Sequence, residues 1–229
     1  RHHSSERSAA QGDERSVGSG GAHAGLDEGD AFLASAGAPT APTRDGEPQV
    51  TLIIEGVAAR LGVGETVSRG QAASGDLINF DAVLGGGETE TAQWLTAGRF
   101  LSVPARRLAQ RIDQAVLVET SLSDLRSRNA GLRREVLRHA ALTVSQRLAA
   151  LILDVHDLDG GDALPLRQSD LAALMSVRRA SVSTACTELH AAGAIRLRRA
   201  AIHIADVDAL RVAAGTPHST VTDLARLRG

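Results

Sequence analysis

The sequence predicts an α+β chain: a small antiparallel β domain, then one long helix, then a helix-turn-helix closed by a hairpin. Three observations carry that order. Short β-leaning runs separated by glycine begin near Val50. An apolar seam with helical spacing runs from Val118 to His139. Two short amphipathic helices, Gly193 and an alternating apolar and basic segment follow one another from Arg167 to Ile204. With 229 residues, 43% of them hydrophobic, there is material for two modest domains with packed cores.

All 25 basic residues are Arg and there is no Tyr, a compositional bias that assigns no function. The single Cys186 excludes an internal disulfide and a cysteine-built zinc site, which makes a reducing cytoplasm the expected compartment. No apolar run approaches roughly 18 residues, so no membrane partner is expected. The chain opens on Arg1 without the basic and apolar blocks of a signal peptide, which fits a fragment. Net charge is -2, but the average hides a gradient: from Arg126 onward 15 Arg face 10 Asp or Glu, against 10 and 17 upstream. A basic half suits a nucleic-acid-binding module. An unevenly charged solvated surface gives the same count, and charge alone does not separate the two.

Over residues 1–48 the only large apolar side chains are Val17, Leu26, Phe32 and Leu33. They are too few to offset the entropy of ordering the stretch, which is expected to be disordered. His2 and His3 lack a nearby third ligand, so no metal is expected there. Order is expected from Val50, where Val50, Leu52, Ile53, Ile54, Val57 and Leu61 form short runs punctuated by Gly56 and Gly62. A last strand from Gln93 to Val103 leads to Pro104 and a short helix from Ala105 to Ile112.

Val118, Leu122, Leu125, Asn129, Leu132, Val136 and His139 are spaced 4, 3, 4, 3, 4 and 3, one seam of a long helix, with Arg126, Arg128, Arg133, Arg134 and Arg138 off it. A two-stranded coiled coil is the favoured use, with Asn129 fixing register. Packing of the stripe on the chain's own β domain is the alternative. Gly131 costs such a helix about 1 kcal/mol relative to Ala and invites a bend. A second helix, Val144 to Leu158, carries a broad stripe and stops at Asp159, Gly160 and Gly161.

From Arg167 to Ala192, Leu171, Ala172 and Met175 mark the inner face of one helix, and Val182, Ala185, Cys186 and Leu189 that of the next, with Val177 in the turn. Ala172 and Ala185 are small enough for a close crossing. Arg178, Arg179, Ser181, Ser183 and Thr184 lie on the outer face, guanidinium and hydroxyl groups able to meet base edges and phosphates. After Gly193, Ile195, Leu197, Ile202 and Ile204 alternate with Arg196, Arg198 and His203, a hairpin with one apolar and one basic face.

The run from Leu164 to Val182, LPLRQSDLAALMSVRRASV, with Leu189, Gly193, Ala194 and Ile195 behind it, resembles the DNA-binding domain of the CRP/FNR transcription regulators. Ser74-Gly75-Asp76-Leu77-Ile78 resembles a turn of their β-roll, and Val118 to His139 stands where they have a dimerisation helix. The resemblance spans about Val50 to Ala213, strong in the last third and weak in the first. It implies a partial, jelly-roll-like β-roll effector domain over 49–112, after a disordered or degenerate 1–48. A dimerisation helix over 113–141, a winged helix-turn-helix over 142–214 and a tail over 215–229 follow. The expected function is a homodimeric, sequence-specific DNA-binding regulator on a near-palindromic site of double-stranded DNA, with RNA polymerase a further candidate partner. Arg178 to Ala192 would be the recognition helix, with Arg179 and Thr184 at base-reading positions and Gln168, Arg196 and Arg198 on the backbone. Ser176 replaces the usual glycine of the turn, Arg178 the usual Ser or Thr cap, and Ala180 a residue that often reads sequence, so the operator is not implied.

Cyclic-nucleotide members of that family follow a Gly-Glu turn with an Arg that neutralises the phosphate. Here Gly87-Glu88 is followed by no Arg before Arg99, so no cyclic nucleotide is expected. One cysteine cannot hold an iron–sulfur cluster, and nothing supports haem, so no cofactor is expected. Enzymatic motifs are lacking: a phosphate-binding Gly-rich loop needs a Lys, and Ser145, His156 and Asp157 sit on one helix where Asp157 faces away from His156. Asp154, His156, Asp157, Asp159 and Asp162 lack calcium-loop spacing, so no metal is expected. The competing reading is a dimeric protein-interaction module whose winged helix no longer reads DNA.

Overall fold

The computed structural model describes residues 31–85 and 90–215. The chain runs β1 (Phe32–Ala34), β2 (Thr43–Arg44), β3 (Glu47–Glu55), β4 (Ala58–Gly62), β5 (Gln71–Ala72), β6 (Leu77–Ile78), a 3-10 turn at Phe80–Leu84, β7 (Glu90–Trp94), β8 (Gly98–Pro104), α1 (Ala105–Arg111), α2 (Gln114–Ala141), α3 (Val144–Asp159), β9 (Ala163–Leu164), α4 (Gln168–Leu174), α5 (Arg179–Ala191), β10 (Ile195–Arg198), β11 (Ala201–Ile204) and α6 (Val207–Ala213). It is the α+β architecture expected: curled antiparallel sheets, a long helix and a helical C-terminal domain with a hairpin.

Order begins before Val50, which corrects the expected disorder over 1–48 for its described part. Strand β1 pairs with β8, Phe32 opposite Phe100, and β2 with β3, Thr43 opposite Pro48. These strands are held by main-chain ladders and by the stack of Phe32 on Phe100, 5.5 Å between centroids, so they need no apolar run. Residues 1–30, with His2, His3, Val17 and Leu26, lie outside the described residues, as do Gly87 and Glu88.

The expected strand from Gln93 to Val103 is two strands joined at Leu95, Thr96 and Ala97. The turn folds inward: Leu95 is fully buried, and Thr96 Oγ1 accepts the Val57 N–H at 3.0 Å. Gly98 has to be glycine, because a Cβ there would collide with the Trp94 ring. In the larger sheet the order is β1-β8-β3-β2, with β6 also on β3; the facing sheet is β5-β4-β7. Val50, Leu52, Phe80 and Leu101 pack with Ala105 and Leu108 of α1, while Ile53, Ile78 and Trp94 form a second cluster.

Helix α2 starts at Asp113, whose carboxylate accepts the Ala115 N–H at 2.8 Å. Its seam does not pack on the β domain: Val118, Leu122, Leu125, Leu132 and Val136 are all about half exposed. The other side of the helix faces the β domain through charge. Arg128 grips Asp81 with two hydrogen bonds of 2.8 and 2.6 Å, and Asp124 lies 3.7 Å from Arg60. Gly131 sits in an uninterrupted helix beside Gly70, where a Cβ on Gly131 would meet the Arg69 carbonyl at 3.6 Å and the Gly70 Cα at 3.8 Å, ordinary contact distances.

Helix α3 is capped by a reciprocal Thr143–Gln146 pair and ends at Gly160, at φ +70°. Its buried Leu148, Leu151, Ile152 and Val155 share one core with α4, α5 and the hairpin, and Val57, Ala59, Leu61, Ala73 and Leu95 of the β domain join it. The two halves are therefore packed together, and the Ser68 N–H donates to the Leu174 carbonyl at 2.9 Å across the join.

Candidate nucleic-acid interface

The local sequence dictates two short helices at a tight turn. Leu171, Ala172 and Leu174 bury one face of α4, and the Asp170 carboxylate accepts the Arg167 N–H at its start, 3.3 Å away. Val182, Ala185, Cys186 and Leu189 bury one face of α5. The Val177 N–H returns to the Ala172 carbonyl at 3.0 Å, and Ser176 adopts φ +53°, a left-handed conformation that costs a residue with a Cβ. Helix α5 begins at Arg179. Arg178, in the cap position, gives no side-chain cap, so the first amides of α5 lack the acceptor a Ser or Asp would supply.

The buried face leaves its complement outside. Arg178, Arg179, Ser183 and Thr184 are exposed and Ser181 is half-buried. The Thr184 hydroxyl donates to the Ala180 carbonyl at 3.1 Å and so faces outward as an acceptor. Exposed Thr187, bonded to the Ser183 carbonyl at 3.0 Å, continues this face one turn on; as a lone Thr near the helix end it carries no signal in the sequence.

The hairpin pairs Ile195 with Ile204, Arg196 with His203, Leu197 with Ile202 and Arg198 with Ala201, and β9 adds a third strand on β11. Ile195 and Ile202 are buried as their alternation predicts, but Leu197 is 41% exposed, so the apolar face does not reach the tip. There Ala200 turns the chain at φ +56° beside Arg199. Arg196 and Arg198 are exposed.

An open groove of about 410 Å³ brings Gln168, Arg179 and Arg198 together, between the start of α4, the start of α5 and the hairpin, with Arg167 and Ser169 beside them. Arg178 and Ser181 face a separate depression shared with Ser176, Val177 and Thr66 of the β4–β5 loop. Arg196 lines neither. Cys186 is fully buried, and burial pushes its thiol up while the neighbouring Gln168 side chain pulls it partly back. A neutral thiol on the buried face of α5 is a packing group. The surface presents guanidinium groups, hydroxyls and an amide on a convex helix beside a basic hairpin, a set suited to phosphates and base edges. Among the described residues no group of three or more His, Cys, Asp or Glu is placed to hold a metal ion, and no helix is long and apolar enough to cross a membrane.

A family model described as a Crp-like helix-turn-helix domain matches residues 146–213. No curated protein sequence matches the chain. Among solved structures it is similar to TTHA1359, a CRP/FNR-family transcriptional regulator from Thermus thermophilus, at 20% identity and a TM-score of 0.62, covering 81% of this chain and 98% of that one. TTHB099, a CRP-family regulator from the same organism, is similar at 16% identity and a TM-score of 0.65, covering 83% and 100%. FixK2 from Bradyrhizobium japonicum is similar at 17% and 0.56, covering 82% and 98%. At these identities the structural likeness is one of fold. Residues 146–213 thus match a Crp-like helix-turn-helix domain, and the chain shares its fold with solved regulators of the CRP/FNR family.

Proposed function

We propose that the chain is a cytoplasmic, sequence-specific transcription regulator that binds double-stranded DNA as a homodimer. The observation that carries this reading is the exposed face of α5, with Arg178, Arg179, Ser183 and Thr184, flanked by Arg196 and Arg198 of the hairpin. In this reading α5 enters the major groove, Ser181 joins its reading face, and Gln168, Arg196 and Arg198 hold the phosphates. Two chains pair along Val118, Leu122, Leu125, Asn129, Leu132 and Val136, a stripe left open in the single chain. That sets the two α5 helices about 34 Å apart on a near-palindromic operator. Polymerase contacts belong to the same reading.

The effector of this reading is not a cyclic nucleotide. Arg60 and Arg128, the guanidiniums at the join of the β domain and α2, are already faced by Glu90, Asp124 and Asp81, so an anion arriving there would meet an acidic excess.

Selection from random duplexes, with anisotropy at several salt concentrations, tests the function. An enriched palindrome with half-sites one helical turn apart, bound less tightly as salt rises, is the expected result. Absence of binding at low salt would favour a protein-interaction module.

A further inference from the structure

The turn between α4 and α5 is held from outside the helix pair. Ser68 takes the Leu174 carbonyl, and Arg147 of α3 donates through Nη2 to the Met175 carbonyl. The same Nη2 lies 2.5 Å from His139 Nε2 at the end of α2, and His139 Nδ1 lies 2.9 Å from the Glu135 carbonyl. One Nη2 carries two hydrogens, enough for both acceptors. A guanidinium can only donate, so Nε2 has to accept, and the ring proton sits on Nδ1 facing Glu135. With His139 exposed at the end of α2, the two contacts match one tautomer of the imidazole.

We propose that Arg147 is the positioning residue of the DNA-reading helix and that His139 sets its grip on the turn with pH. The inference rests on α5 being that helix. Neutral His139 holds Nη2 against the Met175 carbonyl. A proton on Nε2 replaces the acceptor with a donor and sets a second cation against the guanidinium, which has to swing away. The turn needs such a hold, because Ser176 is in a left-handed conformation and Arg178 offers α5 no side-chain cap.

The neighbouring charges do not absorb the added proton. From α2 and α3, Arg138 takes Asp154 through bonds of 2.5 and 2.9 Å and Glu135 through one of 3.1 Å, which leaves both carboxylates engaged. From the β domain, Ser68 and Gln71 line the small cavity on the Arg147 side of the contact and are uncharged, and the turn lends that cavity Leu174 and Met175. Burial pulls the Arg147 guanidinium down, with Glu135 partly offsetting it, so a further positive neighbour is poorly tolerated.

The test uses the full chain in two arms across about pH 8 to about pH 5.5, the range in which histidine changes charge. Affinity for the selected operator is measured at fixed salt, and amide-exchange protection of residues 174–178 is measured without DNA, corrected for intrinsic pH dependence. The wild type is expected to lose about tenfold in affinity as pH falls, as for one lost hydrogen bond to a charged group, with protection of the turn falling in step. His139→Gln, which accepts a hydrogen bond at every pH, should keep the high-pH protection and lose the pH slope. Arg147→Leu should show weak protection and weak binding at every pH, and Arg147→Lys should recover part of both near pH 8. Equal pH slopes in wild type and His139→Gln, or equal protection in wild type and Arg147→Leu, would overturn the proposal. If no duplex binds, the DNA reading fails while the exchange arm still decides the latch.

Discussion

Asp124 Oδ2 stands 3.0 Å from Arg128 Nε, one turn along α2, yet neither atom is aligned for a hydrogen bond. The other Asp124 oxygen is 3.7 Å from Arg60 Nη2, which also lacks a hydrogen bond. Burial dominates this site and pushes the Asp124 carboxyl up to about 6. Arg60 and Arg128 pull it down, and Glu90 and Asp81 add to the rise. Two cations at poor angles do not repay the desolvation of the carboxylate.

Asp124→Asn should therefore stabilise the protein above pH 6. With the folded carboxyl at about 6 and its ordinary value 3.8, the favourable contribution is complete below 3.8 and is lost as pH rises through about 6. The loss amounts to about 3 kcal/mol at most. Thermal unfolding at about pH 7.5 should show the Asn variant more stable, and the gap should close near pH 4. A variant less stable than wild type at the higher pH would show that Arg60 and Arg128 depend on the Asp124 charge.

That charge cluster was illegible in the sequence, whereas α2 and α3 were plain, and the difference is physical. Helical periodicity repeats within one element, so Val118 to His139 and Val144 to Leu158 announce themselves. Arg60, Asp81 and Glu90 come from three separate elements and meet Asp124 and Arg128 of α2 only in the fold, and each alone reads as a solvated charge. Strand β1 is illegible because its stability comes from β8 and from Phe100, and the turn at Leu95 to Ala97 because Leu95 and Thr96 are buried like strand residues and no glycine comes before Gly98. In the helix-turn-helix the inner faces follow directly from apolar spacing. The grouping of Gln168 with Arg179 and Arg198 does not, since it depends on where the hairpin folds back.

Ser176→Gly should stabilise the protein. Ser176 is exposed at φ +53°, where glycine avoids the Cβ clash, and that relief exceeds the entropy glycine adds to the unfolded chain. A gain of about 1 kcal/mol would appear as a rise in Tm of about 2–4 °C in a scanning melt. An unchanged or lower Tm would mean that the Ser176 side chain contributes more than its backbone conformation costs.

If the chain pairs along the α2 seam as proposed, Leu125→Glu should leave it monomeric in sedimentation equilibrium with its helix content intact. Leu125 is 54% exposed in the single chain, so the substitution removes nothing from the chain's own core, while a paired seam would bury two like charges. Asn129→Leu should act in the opposite direction, strengthening association while loosening its register. A Leu125→Glu chain that still sediments as a dimer would place the interface elsewhere.

Arg179→Ala separates reading from holding. Arg179 is the first residue of α5, exposed and turned into the groove it shares with Gln168 and Arg198. If its guanidinium meets a base edge, the variant loses about 1–3 kcal/mol on the selected operator, and one position of the selected motif becomes degenerate. Arg198→Ala, at the hairpin, should instead weaken all duplexes alike and reduce the salt dependence by about one counterion. Selection and sequencing with both variants distinguishes the two effects. A motif unchanged by Arg179→Ala would remove that residue from the readout and shift the search to Arg178, Ser183 and Thr184.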